Sequence, residues 1–166
     1  MTAPDLRESG PFEWRRDDGV VVSTDDAKLD VDVVHGFIAT SYWAPGMPRV
    51  VLERALRHSL NFGVYLADGT QVGFARAITD RATYAYLSDV FVLDAHRGRG
   101  LGKFLVACIV ECPALQGLRR FALMTRDAQT LYAPFGFGPF TGASTYMEIR
   151  DGRVYERARD EAGWPL

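Results

Sequence analysis

The stretch HRGRGLGKF, residues 96–104, brings three glycines and three cationic side chains close together. A run rich in aromatic and β-branched residues precedes it and the apolar run FLVACIV follows at 104–110, so a strand is expected to lead into a helix here. The loop N–H groups then include the unpaired donors of a helix N-terminus. These donors, the helix dipole and the cations favour an anion, and glycines let it approach the backbone. We therefore expect the loop to bind a phosphate or pyrophosphate.

Two common nucleotide-binding patterns do not fit this loop. A P-loop requires Ser or Thr after its Gly-Lys pair, but Phe104 follows Gly102 and Lys103. The dinucleotide fingerprint requires a last glycine at the position that Lys103 occupies. The pattern that remains is Arg-x-x-Gly-x-Gly, formed by Arg97, Gly100 and Gly102.

Length and patterning indicate one soluble domain. A chain of 166 residues can bury a sizeable core, and we expect a single domain over 1–166 with its core at about 20–150. Residues 1–19 are expected to form an N-terminal arm, and residues 151–166 a polar C-terminal tail. The charged N-terminal region lacks the apolar run of a signal peptide, and no apolar run is long enough to span a bilayer. A cytoplasmic location is therefore expected.

Charge and cysteine content limit the partners. A net charge of −2 disfavours a general nucleic-acid binder, which would need a broad basic face. The two cysteines, Cys108 and Cys112, have no further ligands at the spacing of a metal site, so we expect reduced thiols and no metal. The cations are nearly all arginine, which is typical of GC-rich coding and suggests a bacterial protein.

The first half of the chain mixes helices with an antiparallel meander. A β-branched run at 19–23 predicts a strand, and the apolar periodicity after it predicts a helix that TDD at 24–26 would cap. A second helix is predicted at about 48–60. Asp-Gly at 68–69 between alternating apolar residues predicts a hairpin, and a long strand is expected at 82–94.

The second half continues with a helix at 101–112 and a buried strand at 119–125. A short helix is expected within 126–137 and a last strand at 146–150. This order predicts an α/β sheet in which an antiparallel meander passes into a parallel crossover.

The glycine-rich pattern resembles the pyrophosphate-binding motif of the GCN5-related N-acetyltransferases (GNAT family), Gln/Arg-x-x-Gly-x-Gly/Ala. The preceding YLSDVFVLDAHR is similar to the family's fourth strand, and ALMTRDAQTLYAPFGF resembles its fifth strand and the helix after it. The positions that match the family spacing there are Ala128, Tyr132, Gly136 and Phe137. Thr125 stands where the family often has asparagine, an exchange expected to rearrange one contact to the pantetheine arm.

The resemblance implies a GNAT fold, a mostly antiparallel sheet of six to seven strands flanked by helices, in which the parallel fourth and fifth strands splay around the pantetheine of acetyl-CoA. It implies direct transfer of an acetyl group, within a ternary complex, to a primary amine of an unidentified small-molecule or protein acceptor. A non-catalytic acyl-CoA-binding module is the alternative. Acetyl-CoA would be the co-substrate, and a homodimer would be typical of the family.

The same resemblance implies roles for particular residues. The N–H of Val90 would polarise the thioester carbonyl, and Tyr132 would protonate the leaving thiolate. The implied cofactor-binding residues are Val90, Val92, Arg97, Gly98, Arg99, Gly100, Leu101, Gly102, Lys103, Thr125 and Tyr132.

The resemblance does not single out one residue as the general base or fix the acceptor pocket. Asp89 is the nearest carboxylate to the expected thioester, but strand alternation places it on the opposite face from Val90 unless a bulge intervenes. A water chain is the other candidate base. The expected acceptor-binding residues are Tyr42, Trp43, Tyr84 and Tyr86. The first two lie in the Pro/Gly-rich loop at 41–49, and the other two share the strand parity of Val90.

Overall fold

A six-stranded sheet forms the centre of the computed structural model, which describes residues 10–160. The strands are β1 (Glu13–Arg15), β2 (Val21–Ser23), β3 (Leu60–Tyr65), β4 (Gln71–Thr79), β5 (Tyr84–Val92) and β6 (Arg120–Leu123). They lie side by side in chain order; all neighbours are antiparallel except β5 and β6, which are parallel. The expected meander with a parallel crossover is confirmed.

Helices cover both faces of the sheet. They are α1 (Val31–Ile38), α2 (Arg49–Arg57), α3 (Leu101–Glu111), α4 (Gln129–Tyr132) and α5 (Val154–Asp160). Apolar residues of α1 and α2 pack against Phe74 and Phe91 on one side, here termed the α1/α2 face. Residues of α3 pack against Phe62 and Leu87 on the other side, the α3 face, which also receives Tyr132 of α4. The crossover from β5 to β6 therefore runs over the α3 face.

The first two helices differ in their limits from the sequence prediction. Asp30, not the TDD stretch at 24–26, caps α1, because its carboxylate accepts the N–H groups of Asp32 and Val33. Asp25 instead caps a short 3₁₀ turn that precedes α1. The second helix ends at Arg57, not Leu60, because the chain must extend to pair β3 with β4.

The hairpin prediction is confirmed. Strands β3 and β4 pair antiparallel, and the turn between them carries Gly69 at a φ of 87°. This left-handed conformation is one that glycine adopts without a Cβ penalty, which explains the Asp-Gly signal.

Parts of the predicted N-terminal arm and C-terminal tail form regular secondary structure. Part of the supposed arm forms β1, which pairs with β2, because Trp14 packs its ring over Phe62 with centroids 6.3 Å apart. Part of the polar tail forms α5. Residues 1–9 and 161–166 lie outside the described part of the chain.

The strand predicted at 146–150 is wrong. These residues form no strand, and the side chains of Met147 and Ile149 are fully exposed. The outer edge of β6 is unpaired among the described strands, yet residues 146–150 do not add to it, so the alternating pattern by itself did not specify a strand.

The two cysteines lie in the core. Cys108 and Cys112 are free and buried, and burial raises the pKa of the first thiol to about 12 and of the second to about 11. Both therefore pack as protonated, apolar groups.

Within residues 10–160, none of the helices has the length and apolarity needed to cross a bilayer.

Candidate active site

The pairing of β5 with β6 ends part-way along β5. Their pairing stops at Leu87 and Leu123, where β6 ends, while β5 continues along β4 to Val92. A cleft therefore opens between the two strands towards their carboxyl ends. Because the strands are parallel, the glycine-rich loop and Thr125, which follow them, lie at the same edge of the sheet.

The second half of β5 turns a backbone donor towards this cleft. The N–H of Leu93 donates to the carbonyl of Val72 on the β4 side at 2.8 Å. Successive peptide groups of a strand point to opposite sides, so the N–H of Val92 points away from β4, on the side of the cleft.

A β-bulge adjoins Val90. The register between β4 and β5 shifts between Phe74 and Arg76, so that Ala75 faces both Asp89 and Val90. Asp89 has a φ of 55°, one of two positive values among the described non-glycine residues. Such a conformation costs about 1–2 kcal/mol for most L-residues, less for aspartate, and must be held by its surroundings.

The bulge decides which side chains share a face. Leu87 packs on the α3 face, which turns its neighbour Tyr86 towards α1 and α2. Beyond the bulge Val90 packs on the α3 face, whereas Asp89 points to the α1/α2 face. The expectation that Tyr84 and Tyr86 share a face with Val90 is therefore wrong, because the extra residue reverses the alternation. They share a face with Asp89.

Asp89 is held by two donors that come from distant parts of the chain. Arg76 of β4 forms an ion pair with Oδ2, and the Trp43 indole donates to Oδ1 at 2.9 Å. Arg76 is itself fixed by Ser59, whose Oγ lies 3.2 Å from Nη1. The side chains of the ion pair are 11% and 3% exposed. Both carboxylate oxygens are thus occupied, and the bulge is anchored on the α1/α2 face.

The sequence analysis did not identify Arg76 as a site residue, although its position in the sequence is unusual. It stands in the middle of the apolar run GFARAI on β4. A charge buried in such a strand needs a partner, but the sequence does not say which carboxylate supplies it.

The glycine-rich loop starts α3 as expected. Gly98 and Gly100 have φ values of 76° and 72°, and Gly100 is the residue that caps the helix. The first amide of this region to donate within the chain is that of Phe104, which reaches the Gly100 carbonyl at 3.0 Å. Within residues 10–160, the N–H groups from Gly98 to Lys103 donate to no acceptor. Unpaired N–H groups at a helix N-terminus are the kind of donors that bind anions in proteins.

The cations of the loop are partly engaged by neighbours. Arg97 pairs with Asp94 at 2.9 Å and its Nε reaches the carbonyl of Val92 at 3.3 Å. Arg99 Nη1 lies 3.3 Å from Nδ1 of His96, and Lys103 is exposed. The exposed ion pair between Arg97 and Asp94 is weak in water, so a phosphate can compete for the guanidinium.

A further arginine reaches the loop from the N-terminal edge of the sheet. Arg16 Nη1 donates to the carbonyl of Arg99 at 3.1 Å, and its guanidinium lies over the Phe104 ring at 5.8 Å. The side chain is oriented by Asp18, whose pKa this contact lowers to about 2. Arg16 stands next to Gly100, where an added Cβ would lie 3.6 Å from Nη1. The sequence offers no local signal for this contact.

Tyr132 and Thr125 flank the cleft from the β6 side. Tyr132 is 8% exposed, and burial raises the pKa of its phenol to about 12, with a smaller contribution from nearby Tyr42. Its hydroxyl has no partner among the described residues, yet it is not one of the fully enclosed polar atoms. Thr125 Oγ1 accepts the N–H of Ala128 at 3.0 Å and so shapes the turn before α4.

The aromatic residues of the 41–49 loop meet the segment after β6. Tyr42 and Trp43 are 51% and 40% exposed and contact each other edge to face. The guanidinium carbon of Arg126 lies 3.9 Å from the centre of the Tyr42 ring. Tyr84, at the paired start of β5 opposite Arg120, is the one expected acceptor residue that lies away from the opening of the cleft.

Comparisons with known proteins identify the family. Residues 58–139 match the family model described as "Acetyltransferase (GNAT) domain". A provisionally named acetyltransferase of Gibberella zeae is 36% identical over an alignment of 161 positions, and the match covers 84% of this chain and 86% of that protein. The chain belongs to the GNAT acetyltransferases. A provisionally named GNAT acetyltransferase of Xanthomonas campestris pv. campestris is 47% identical with a TM-score of 0.79, covering 82% of this chain and 96% of that one.

The GNAT fold extends to more distant structures. AAC(6′)-Iy, solved in complex with the bisubstrate analogue CoA-S-monomethyl-acetylneamine, is 24% identical and has a TM-score of 0.53. The match covers 73% of this chain and 90% of that one. At this identity the likeness concerns the fold alone.

The family match does not cover the whole site of this GNAT acetyltransferase. The matched segment, 58–139, contains the bulge, the cleft, the glycine-rich loop and Tyr132. It leaves out Arg16 and the loop that carries Tyr42 and Trp43. These contacts are therefore features of the chain that the family model does not describe.

Proposed function

We propose that this GNAT acetyltransferase transfers an acetyl group from acetyl-CoA to a primary amine, directly within a ternary complex. The observation that carries the proposal is the continuity of the cleft with the glycine-rich loop. The amides of Val90 and Val92, which we propose face the cleft, lead along β5 to the unpaired amides of Gly98 to Lys103. A thioester on a long polar arm that ends in a pyrophosphate suits this arrangement.

The loop would hold the pyrophosphate through its backbone. The amides and the helix dipole supply the directed interactions, while Arg97, Arg99 and Lys103 add positive charge. Arg16 would keep the loop in shape through the carbonyl of Arg99. Membership of the GNAT family supports the choice of CoA over other pyrophosphate esters, and AAC(6′)-Iy, which shares the fold, was solved with a CoA-based analogue. The remaining proposed cofactor contacts are those of Gly98, Gly100, Leu101, Gly102, Thr125 and Tyr132.

The proposed reaction begins with attack of a neutral amine on the thioester carbonyl carbon. The N–H of Val90 would donate to the carbonyl oxygen as negative charge develops there, a type of stabilisation that requires preorganised donors. A C–N bond forms, the C–S bond breaks, and the CoA thiolate takes the proton of the Tyr132 hydroxyl. Burial keeps this phenol protonated at neutral pH. Solvent then returns a proton to Tyr132.

The amine proton is proposed to leave through water. Asp89, the candidate carboxylate, already accepts from Arg76 and Trp43 through both oxygens. A water at the cleft mouth needs no such rearrangement. We propose that Asp89 instead anchors the bulge and thereby orients Val90.

The wider context of the enzyme is also proposed. We infer that residues 1–166 act as one acetyltransferase domain, since a single sheet runs from β1 to β6. A cytoplasmic location and a bacterial source remain predictions from the composition, and a homodimer remains a prediction from the family resemblance. The non-catalytic alternative is not favoured, because the relatives are acetyltransferases by name.

Calorimetric titration with acetyl-CoA, with ATP and NAD as controls, tests the cofactor assignment. We expect binding of acetyl-CoA alone, followed by release of free thiol when a suitable amine is added. Absence of acetyl-CoA binding would contradict the cofactor assignment, and binding without thiol release from any amine would contradict the transferase assignment.

A further inference from the structure

Arg126 belongs to the acceptor side of the cleft although it follows β6. Its guanidinium carbon lies 3.9 Å from the centre of the Tyr42 ring, and Tyr42 stands in the loop between α1 and α2. The phosphate-binding loop, in contrast, starts α3 on the opposite face of the sheet. Tyr42 also acts electrostatically on Tyr132. Arg126 therefore lies beside Tyr42, which is itself near Tyr132.

On this side of the cleft Arg126 is a cation without an ion-pair partner among the described residues. Asp89 is the single buried carboxylate among residues 10–160, and Arg76 and Trp43 already satisfy it. The side chain of Arg126 forms no ion pair with any residue of the same described range. A multiply cationic acceptor would thus find no uncompensated buried carboxylate, and it would be repelled by Arg126.

We propose that the acceptor is a small primary amine that also carries a carboxylate, and that Arg126 binds the carboxylate. This inference rests on the proposed function and adds the chemical class of its acceptor. A guanidinium offers two parallel N–H donors that match a carboxylate, and the rings of Tyr42 and Trp43 offer an apolar wall for the rest of the molecule. The half-exposed state of both rings leaves that wall open to a ligand.

The bound carboxylate takes no part in bond making. The amine nitrogen attacks the thioester, the C–N bond forms and the C–S bond breaks, and the products are an N-acetylated carboxylate and CoA. Arg126 is consequently a substrate-binding residue that selects and orients the acceptor.

Matched pairs of amines that differ only by the carboxylate test the proposal. Thiol release from acetyl-CoA would be measured with each of the natural amino acids and with their decarboxylated amines, for example tyrosine against tyramine, and with spermidine as a polycation. We expect at least one amino acid to be acetylated with a kcat/KM about 10- to 100-fold above that of its decarboxylated partner, the range for loss of a hydrogen bond to a charged group.

Variants separate recognition of the carboxylate from other effects. Arg126→Ala is expected to lower kcat/KM for the amino acid about 10- to 100-fold, to leave the decarboxylated partner unchanged, and to leave the KM for acetyl-CoA unchanged. Arg126→Lys should restore part of the activity. Arg119→Ala removes an exposed arginine just before β6, at its far end, and serves as the matched control.

The outcomes distinguish failure of the proposed acetyltransferase function from failure of the proposed acceptor class. If acetyl-CoA does not bind, the proposed function fails, and the acceptor class fails with it. If acetyl-CoA binds but no amino acid is acetylated, or the decarboxylated amines react equally well, only the acceptor class is overturned. The same holds if Arg126→Ala impairs both members of a pair equally.

Discussion

The two halves of the candidate site are built differently. The cofactor half comes from the continuous run 90–103 together with Thr125 and Tyr132, and depends mostly on backbone N–H groups. The acceptor half brings together side chains from the 41–49 loop, from β4, from the bulge in β5 and from the segment after β6. Backbone geometry is encoded locally, whereas a cluster of side chains exists only once the sheet has formed. Mutations should therefore act on the two halves separately.

Tyr132 is expected to give the largest effect, because it acts on bond breaking itself. Tyr132→Phe should lower kcat by about 10²–10⁴-fold, the usual contribution of a general acid, with little change in the affinity for acetyl-CoA. Steady-state thiol release and calorimetry would measure the two quantities.

The pH dependence and a control sharpen the Tyr132 prediction. The raised pKa of Tyr132 keeps its proton in place below about pH 10, so no loss of activity from this group is expected between pH 7 and 9. Tyr65→Phe removes another buried hydroxyl, one without a partner and remote from the cleft, and should leave kcat unchanged. Full activity of Tyr132→Phe would remove this residue as the acid.

The glycine-rich loop offers the sharpest test of the cofactor half. Gly98→Asp places a carboxylate beside the expected pyrophosphate, and such a like-charge contact costs several kcal/mol, so affinity for acetyl-CoA should fall more than about 100-fold. Calorimetry would measure the loss.

A matched control exists for this change. Gly69 also has a positive φ, and, like Gly98, has no atom within 4 Å of its missing Cβ. Gly69→Asp introduces the same charge and similar backbone strain at the hairpin tip and should leave affinity intact. Equal losses in both variants would mean that strain, not the anion site, is responsible.

Trp43 connects the acceptor half to the proposed oxyanion donor. Trp43→Phe keeps an aromatic ring but removes the N–H that Asp89 Oδ1 accepts, and an unsatisfied buried acceptor costs about 1–3 kcal/mol. We expect a lower melting temperature and a kcat reduced about tenfold, because the bulge that orients Val90 loosens, while acetyl-CoA affinity changes little. An unchanged kcat in a destabilised variant would restrict Trp43 to a purely structural role.

Arg16 is expected to give the smallest effect. Arg16→Ala should weaken acetyl-CoA binding about three- to tenfold, as one hydrogen bond to the loop is worth about 1 kcal/mol. Arg15→Ala removes an equal charge from the neighbouring position, which pairs with Glu13, and is the control. The loss should be equal for acetyl-CoA and for its analogue without the 3′-phosphate. A loss of affinity for acetyl-CoA but not for the analogue would show that Arg16 contacts the 3′-phosphate directly and does not act by positioning the glycine-rich loop.

The same difference between the halves explains what could be predicted from the sequence. The hairpin, the strand before the loop and the start of α3 depend on glycine conformations and short apolar patterns, which are local. The face of Tyr86 was mispredicted because the bulge depends on the pairing of β5 with β4. The partner of Arg76 and the position of Arg126 could not be read at all, since each contact joins segments that only the tertiary fold brings together.

A crystal structure of the protein with acetyl-CoA tests the central claim most directly. The account predicts the pyrophosphate on the amides of Gly98 to Lys103, and the thioester oxygen about 2.7–3.1 Å from the N–H donor of Val90. The thioester sulfur should lie within hydrogen-bond reach of the Tyr132 hydroxyl. Acetyl-CoA bound outside the β5–β6 cleft, or with its thioester remote from Val90, would contradict the account.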